Sequence, residues 1–79
     1  MKKFEIINDS WINKIDDPKY KFSAVKISAI TNFSCIVDSV SFKIYLQYDG
    51  SSFLRFEYQI SEKEQYENDL KFFKQLLIK

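Results

Sequence analysis

The side chains best suited to chemistry in this sequence are few. It has no histidine, so the commonest general base and metal ligand is missing, and Ser-His, Cys-His and histidine-metal arrangements are excluded. Its one cysteine, Cys35, sits in Phe33-Ser34-Cys35-Ile36-Val37 with no nearby cation to lower its pKa. That setting predicts a buried structural thiol rather than a nucleophile. A lone cysteine also excludes an intramolecular disulfide or a thiolate zinc site. Carboxylates gather at Asp16-Asp17 and at Glu62, Glu64, Glu67 and Asp69. Such groups suit magnesium or phosphate mimicry, but a turn and a helix N-terminus want the same residues for structural reasons. The single Gly50 rules out a Gly-rich phosphate loop. The expectation is a non-enzymatic protein without cofactor or metal.

One set of residues remains surplus to folding. Val40 to Tyr48 and Phe53 to Ile60 alternate with period two, which puts Val40, Phe42, Ile44, Leu46 and Tyr48 on one face and Leu54, Phe56, Tyr58 and Ile60 with them. Asp49-Gly50-Ser51-Ser52 supplies the turn. A two-residue Asp49-Gly50 turn would set Ile44 against Arg55 and waste the pattern. A loop around Gly50 instead pairs Leu46 with Leu54, Ile44 with Phe56, Phe42 with Tyr58 and Val40 with Ile60. The other face then carries Lys43, Tyr45, Gln47, Phe53, Arg55, Glu57 and Gln59, with Lys43 opposite Glu57 and Tyr45 opposite Arg55 for an ion pair and a cation-π contact.

The element that covers the first face is a C-terminal helix over residues 61–78. Ser61 and Glu64 have capping-box spacing. Tyr66, Leu70, Phe73 and Leu77 recur at four, three and four residues, with Phe72 and Leu76 beside them. Acidic residues fill its first half and Lys71, Lys74 and Lys79 its second, as the helix dipole favours. Upstream, Lys3 to Asn8 reads as a strand, and Asn8-Asp9-Ser10 as a turn or as the cap of a short helical turn carrying Trp11, Ile12 and Ile15. Asp16-Asp17-Pro18-Lys19 reads as a turn. From Tyr20 to Ile30 the alternation changes phase, which calls for a bulge near Ala24. Phe33 to Val37 reads as a further short strand.

Composition sets the frame. The chain has 79 residues, 46% of them hydrophobic, 18% aromatic and 29% charged, which suits one small domain over 1–79. Twelve basic and eleven acidic side chains leave a net charge of +1 with the signs interleaved, so charge does not fix the partner class. Glu5 and Asp9 interrupt the apolar stretch a signal peptide would need, and the longest uncharged run, residues 27–37, is too short to span a membrane. A cytoplasmic protein is expected.

The stretch Phe22 to Ile30, the Val40 to Ile60 hairpin and Ser61-Glu62-Lys63-Glu64 opening a helix resemble short bacterial and phage proteins of strand, hairpin and terminal helix, the flagellar FlbD-like proteins among them. The resemblance covers about two thirds of the chain and implies a fold without implying any site residue; Trp11 to Tyr20 departs from it as an insertion. The size and the AT-rich residue usage are also similar in style to small phage inhibitors of host defences such as CRISPR effectors.

These readings combine into an α+β fold: an antiparallel sheet of about four strands with one C-terminal helix on one face and a core of Phe42, Ile44, Leu46, Leu54, Phe56, Tyr58, Leu70, Phe73 and Leu77. A sheet with one helical layer leaves its other face free unless the N-terminal region curls over it. The expected function is a protein-binding module, in its most specific form an anti-CRISPR-like phage or mobile-element inhibitor, that occupies its partner through Lys43, Tyr45, Phe53 and Arg55 with Trp11 as a further anchor. The alternative is single-stranded nucleic-acid binding on the same face, with Lys43 and Arg55 on phosphates and Tyr45 and Phe53 stacking on bases. Self-association into a homodimer, through that face or a sheet edge, is the third expectation.

Overall fold

The computed structural model describes residues 2–16 and 24–77. Strands β1 (Phe4–Ile7), β2 (Trp11–Lys14) and β3 (Ala24–Lys26) form one antiparallel sheet in that order, and β4 (Ile30–Val37), β5 (Ser41–Tyr48) and β6 (Ser52–Gln59) form a second. Helix α1 (Lys63–Leu77) follows. The class is α+β, but the single sheet of about four strands expected from the alternation is two sheets of three. The break lies at a 3-10 turn, Ile27–Ala29, which redirects the chain so that Ala24–Lys26 pairs with β2 while Ile30 onward pairs with β5. That turn replaces the bulge expected near Ala24; the earlier part of the phase change and most of the Asp16 to Lys19 turn lie outside the described residues.

A tight reversal explains β2. Asn8 and Asp9 both take positive φ, 51° and 56°, a region that Asn and Asp tolerate better than other non-glycine residues. The Ser10 N–H then donates to the Ile7 carbonyl at 3.0 Å, and Ile7 faces Trp11 across the hairpin. Residues 11–14 are therefore extended, which corrects the helical-turn alternative for Trp11, Ile12 and Ile15.

The β5–β6 register is the one the alternation selects, with Leu46 against Leu54, Ile44 against Phe56, Phe42 against Tyr58 and Tyr48 against Ser52. Its far end differs. The Asp38 carboxylate accepts the Val40 and Ser41 N–H groups at 2.9 and 2.8 Å, a local turn that holds Val40 out of the ladder. Ile60 leaves the other strand to begin a 3-10 turn, so Val40 and Ile60 are exposed rather than paired. The same turn moves the helix cap upstream. Glu62 accepts the Gln59 N–H at 2.9 Å, so the capping box is Gln59 with Glu62 in place of Ser61 with Glu64.

Helix α1 packs on the β5–β6 face that carries Phe42, Ile44 and Leu46. Phe42 stacks on Tyr66 at 4.7 Å, Tyr58 meets Tyr66 edge-on at 5.6 Å, and Phe56 stacks on Phe73 at 5.8 Å. The first sheet closes the core from the side through Phe4, whose ring lies 5.6 Å from Phe56 and 4.7 Å from Phe73. Six expected core residues, Ile44, Leu46, Leu54, Phe56, Tyr58 and Phe73, are buried, while Phe42, Leu70 and Leu77 pack half-buried against them. Phe4, Ile12, Val25 and Tyr66 complete the buried set. Cys35, expected to be buried, is exposed. It shares the helix-side face with Ile44, its pairing partner, but β4 is an edge strand and α1 lies mainly over β5 and β6.

Candidate functional site

The side of β4–β5–β6 turned away from α1 is a grid fixed by strand pairing. Ile36, Lys43 and Glu57 form one row across the three strands; Ser34, Tyr45 and Arg55 form the next; Asn32, Gln47 and Phe53 form the third. Each row arises because both ladders are antiparallel and the side-chain period is two, so residues opposite one another emerge on the same face. Four of the five side chains singled out from the sequence, Lys43, Tyr45, Phe53 and Arg55, share this face. Trp11 does not. It lies on β2 in the other sheet, 40% exposed, opposite Ile7 and Lys26.

The apolar members of the grid are accessible. Phe53 is 53% exposed and Ile36 49%, and the Tyr45 ring meets Phe53 edge-on with centroids 6.0 Å apart. This perpendicular pair takes the place of the cation-π contact expected between Tyr45 and Arg55. Among the described residues the cations lying over rings are Lys3, on Tyr58, and Lys14, on Phe56. Arg55 is exposed and makes no ion pair with another described residue, while its carbonyl accepts a hydrogen bond from Lys14.

Lys43 is held differently. Its ammonium lies 3.2 Å from the Asp38 carboxylate and 4.0 Å from Glu57. Asp38 is itself a strong acid here: the Val40 and Ser41 N–H groups, then Lys43, hold its carboxyl down at about 2. The charge of Lys43 is therefore matched within the protein, and the expected Lys43–Glu57 pair is present as its longer branch.

Several other titratable groups are tied into the fold. Tyr58, with no solvent exposure, donates to Asp69 at 2.6 Å, and burial followed by that carboxylate pushes its phenol far above the ordinary value. Glu62 pairs with Lys3 at 3.5 Å, and Asp16 with Lys14 at 2.7 Å. Burial, then the neighbouring Cys35, raises the Tyr66 phenol to about 12. Among the described residues no three acidic or thiol side chains are grouped to hold a metal ion, and no helix is long and apolar enough to cross a membrane.

Ile36, Ser34 and Asn32 join the grid without any signal in the sequence. The residues of β4 do not alternate in hydropathy, and only the pairing of Ser34 with Tyr45 shows which of them belong to this face. No family model, curated protein or solved structure matches this chain.

Proposed function

We propose that the chain is a non-enzymatic protein-binding module whose contact surface is the outer face of β4–β5–β6, centred on Tyr45, Phe53, Arg55 and Ile36. The observation that carries the reading is the half-buried Tyr45 ring packed edge-on against the exposed Phe53, beside an Arg55 guanidinium free of described ionic partners. An aromatic pair and an arginine on a sheet are the residue types from which interface anchors are built, and the two strand ladders fix their backbone, leaving only side-chain rotamers to be ordered on binding. Inhibition of a host protein complex by occupying one of its surfaces, as a phage or mobile-element product, is the specific form of this function we favour.

The neutralisation of Lys43 by Asp38 and Glu57 weighs against the nucleic-acid alternative, which needs that ammonium for phosphate. Capture from a lysate of the expressing cell separates the two. Wild-type protein is expected to retain a protein partner that the Tyr45→Ala/Arg55→Ala double variant does not, with unchanged circular dichroism. Equal retention by the folded variant overturns the face. Retention of single-stranded nucleic acid alone, lost steeply with added salt, overturns the protein reading in favour of the alternative.

A further inference from the structure

Strand β4 is eight residues long and pairs with β5 along one edge; among the described residues no strand pairs with its other edge. Exposed edges are ordinarily guarded by charge, proline or shortness. Here none of these applies: Ile30–Val37 contains no charged residue and no proline, and Lys26 and Asp38 are the charges that flank it, in a chain that is 29% charged. Six of the eight side chains are exposed.

The direction of the free backbone groups follows from the turn that ends the strand. The Asp38 N–H donates to the Ser41 carbonyl at 3.0 Å, so Asp38 faces β5. Alternation then turns Ile36 and Ser34 toward β5, and sends the N–H and C=O of Val37, Cys35 and Phe33 outward. The ladder is regular over these residues, its one register shift lying between Ile30 and Asn32.

We propose that this edge pairs antiparallel with β4 of a second copy of the chain, about a two-fold axis normal to the sheet at Cys35, giving a continuous six-stranded sheet. Such an axis keeps both helices on one side, and it requires outward-facing residues to meet outward-facing residues. Centring it on Cys35 engages all three: Phe33 opposes Val37 of the second copy, Cys35 opposes Cys35, and Val37 opposes Phe33. Every pair is free of charge. A two-fold axis sets each central side chain against itself or a near neighbour, where a charged strand would repel its own copy. The neutrality of this strand is what selects a second copy as the occupant. The pairing also sets Val37, 62% exposed in the single chain, against the half-buried Phe33 ring on the helix side.

This edge is distinct from the outer face of the grid, so a dimer leaves Tyr45, Phe53 and Arg55 accessible and doubles them. Light scattering across the micromolar range is expected to give twice the 9.5 kDa chain mass. A short-spacer bismaleimide should cross-link the wild-type dimer through Cys35, because opposed residues of a hydrogen-bonded pair sit about 5.5 Å apart at Cα. Cys35→Lys, which places two ammonium groups on the axis, should give a monomer with native circular dichroism. Val37→Pro removes only an outward N–H and is a second route to the same monomer. Tyr45→Ala/Arg55→Ala should remain dimeric. A wild-type monomer overturns the proposal, as does a dimer that survives both edge variants or resists cross-linking at Cys35. Dissociation by Tyr45→Ala/Arg55→Ala instead of the edge variants assigns self-assembly to the outer face, which overturns this proposal and shows that face to be occupied by its own copy.

Discussion

The Tyr58 hydroxyl and the Asp69 carboxylate meet at 2.6 Å beneath the surface, tying β6 to the middle of α1. Tyr58 is fully buried, and the Lys3 ammonium lies 5.1 Å from its ring centre, so β6, α1 and Lys3 all meet the one tyrosine side chain. Tyr58→Phe keeps the ring packing and leaves the partly buried Asp69 without its donor. It is expected to lower the unfolding free energy by about 1 to 3 kcal/mol, read by urea denaturation. An unchanged midpoint would show that Asp69 finds water as readily as Tyr58.

Acid should weaken the fold in a defined window. Asp38 titrates at about 2 in the folded chain against an ordinary 3.8, and Glu62 is also lowered, by the Gln59 N–H and then Lys3. Because the folded-state values are the lower ones, this stabilisation is full above the ordinary values and is lost as pH falls toward those of the folded state. The urea midpoint should therefore decline between about pH 5 and pH 2, and Asp38→Asn should make the decline shallower. A variant with the wild-type slope would place the acid sensitivity elsewhere.

The β5–β6 turn makes a separable prediction. Gly50 has φ +81°, and a Cβ added there would meet no atom within 4 Å, so any cost of substitution is conformational rather than steric. Gly50→Ala should destabilise by about 1 kcal/mol, and Gly50→Asn by less, since asparagine visits the left-handed region more readily. Equal losses would mean that the turn relaxes out of that region.

Core and face should respond very unequally to the loss of one aromatic ring. Phe73, with no exposure, packs on Phe4 and Phe56, and Phe73→Ala should cost about 3 to 5 kcal/mol. Phe53→Ala, on the uncovered side and half exposed, should cost no more than about 1.5 kcal/mol, chiefly its edge-on contact with Tyr45. Thermal denaturation of the two variants side by side makes the comparison; a large loss at Phe53 would mean that its ring is needed for folding.

What the sequence displays well is the β5–β6 hairpin. Its strands are half-buried, so Phe42 to Tyr48 and Leu54 to Tyr58 alternate cleanly, and Gly50 allows one register that keeps them together. The same alternation is enough to place Lys43, Tyr45, Phe53 and Arg55 together on the opposite face. The N-terminal half is harder to read for a physical reason. Strands of three and four residues carry too few positions for a period to show, and Asn8-Asp9-Ser10 suits a turn as well as a helix cap, so the sequence leaves open the reversal that the left-handed backbone there makes. Strand β4 hides its faces because both are largely wet, so neither burial nor alternation marks Cys35 as exposed or Ile36 as part of the grid. The cap moved by two residues because Ile60–Glu62 forms a 3-10 turn of its own, a choice between two similar acidic spacings that composition does not make.

The proposed seat of the partner is the outer face of β4–β5–β6. Its most direct test is the affinity of the captured partner for wild type, Phe53→Ala, Arg55→Ala and the Tyr45→Ala/Arg55→Ala pair, measured beside their unfolding midpoints. The predicted result is a Kd at least roughly 30-fold weaker for the double variant, the loss of about 2 kcal/mol that marks an interface anchor, with every variant still folded at the temperature of the binding measurement. A Kd within twofold of wild type in a folded double variant would mean that the partner binds elsewhere on the chain.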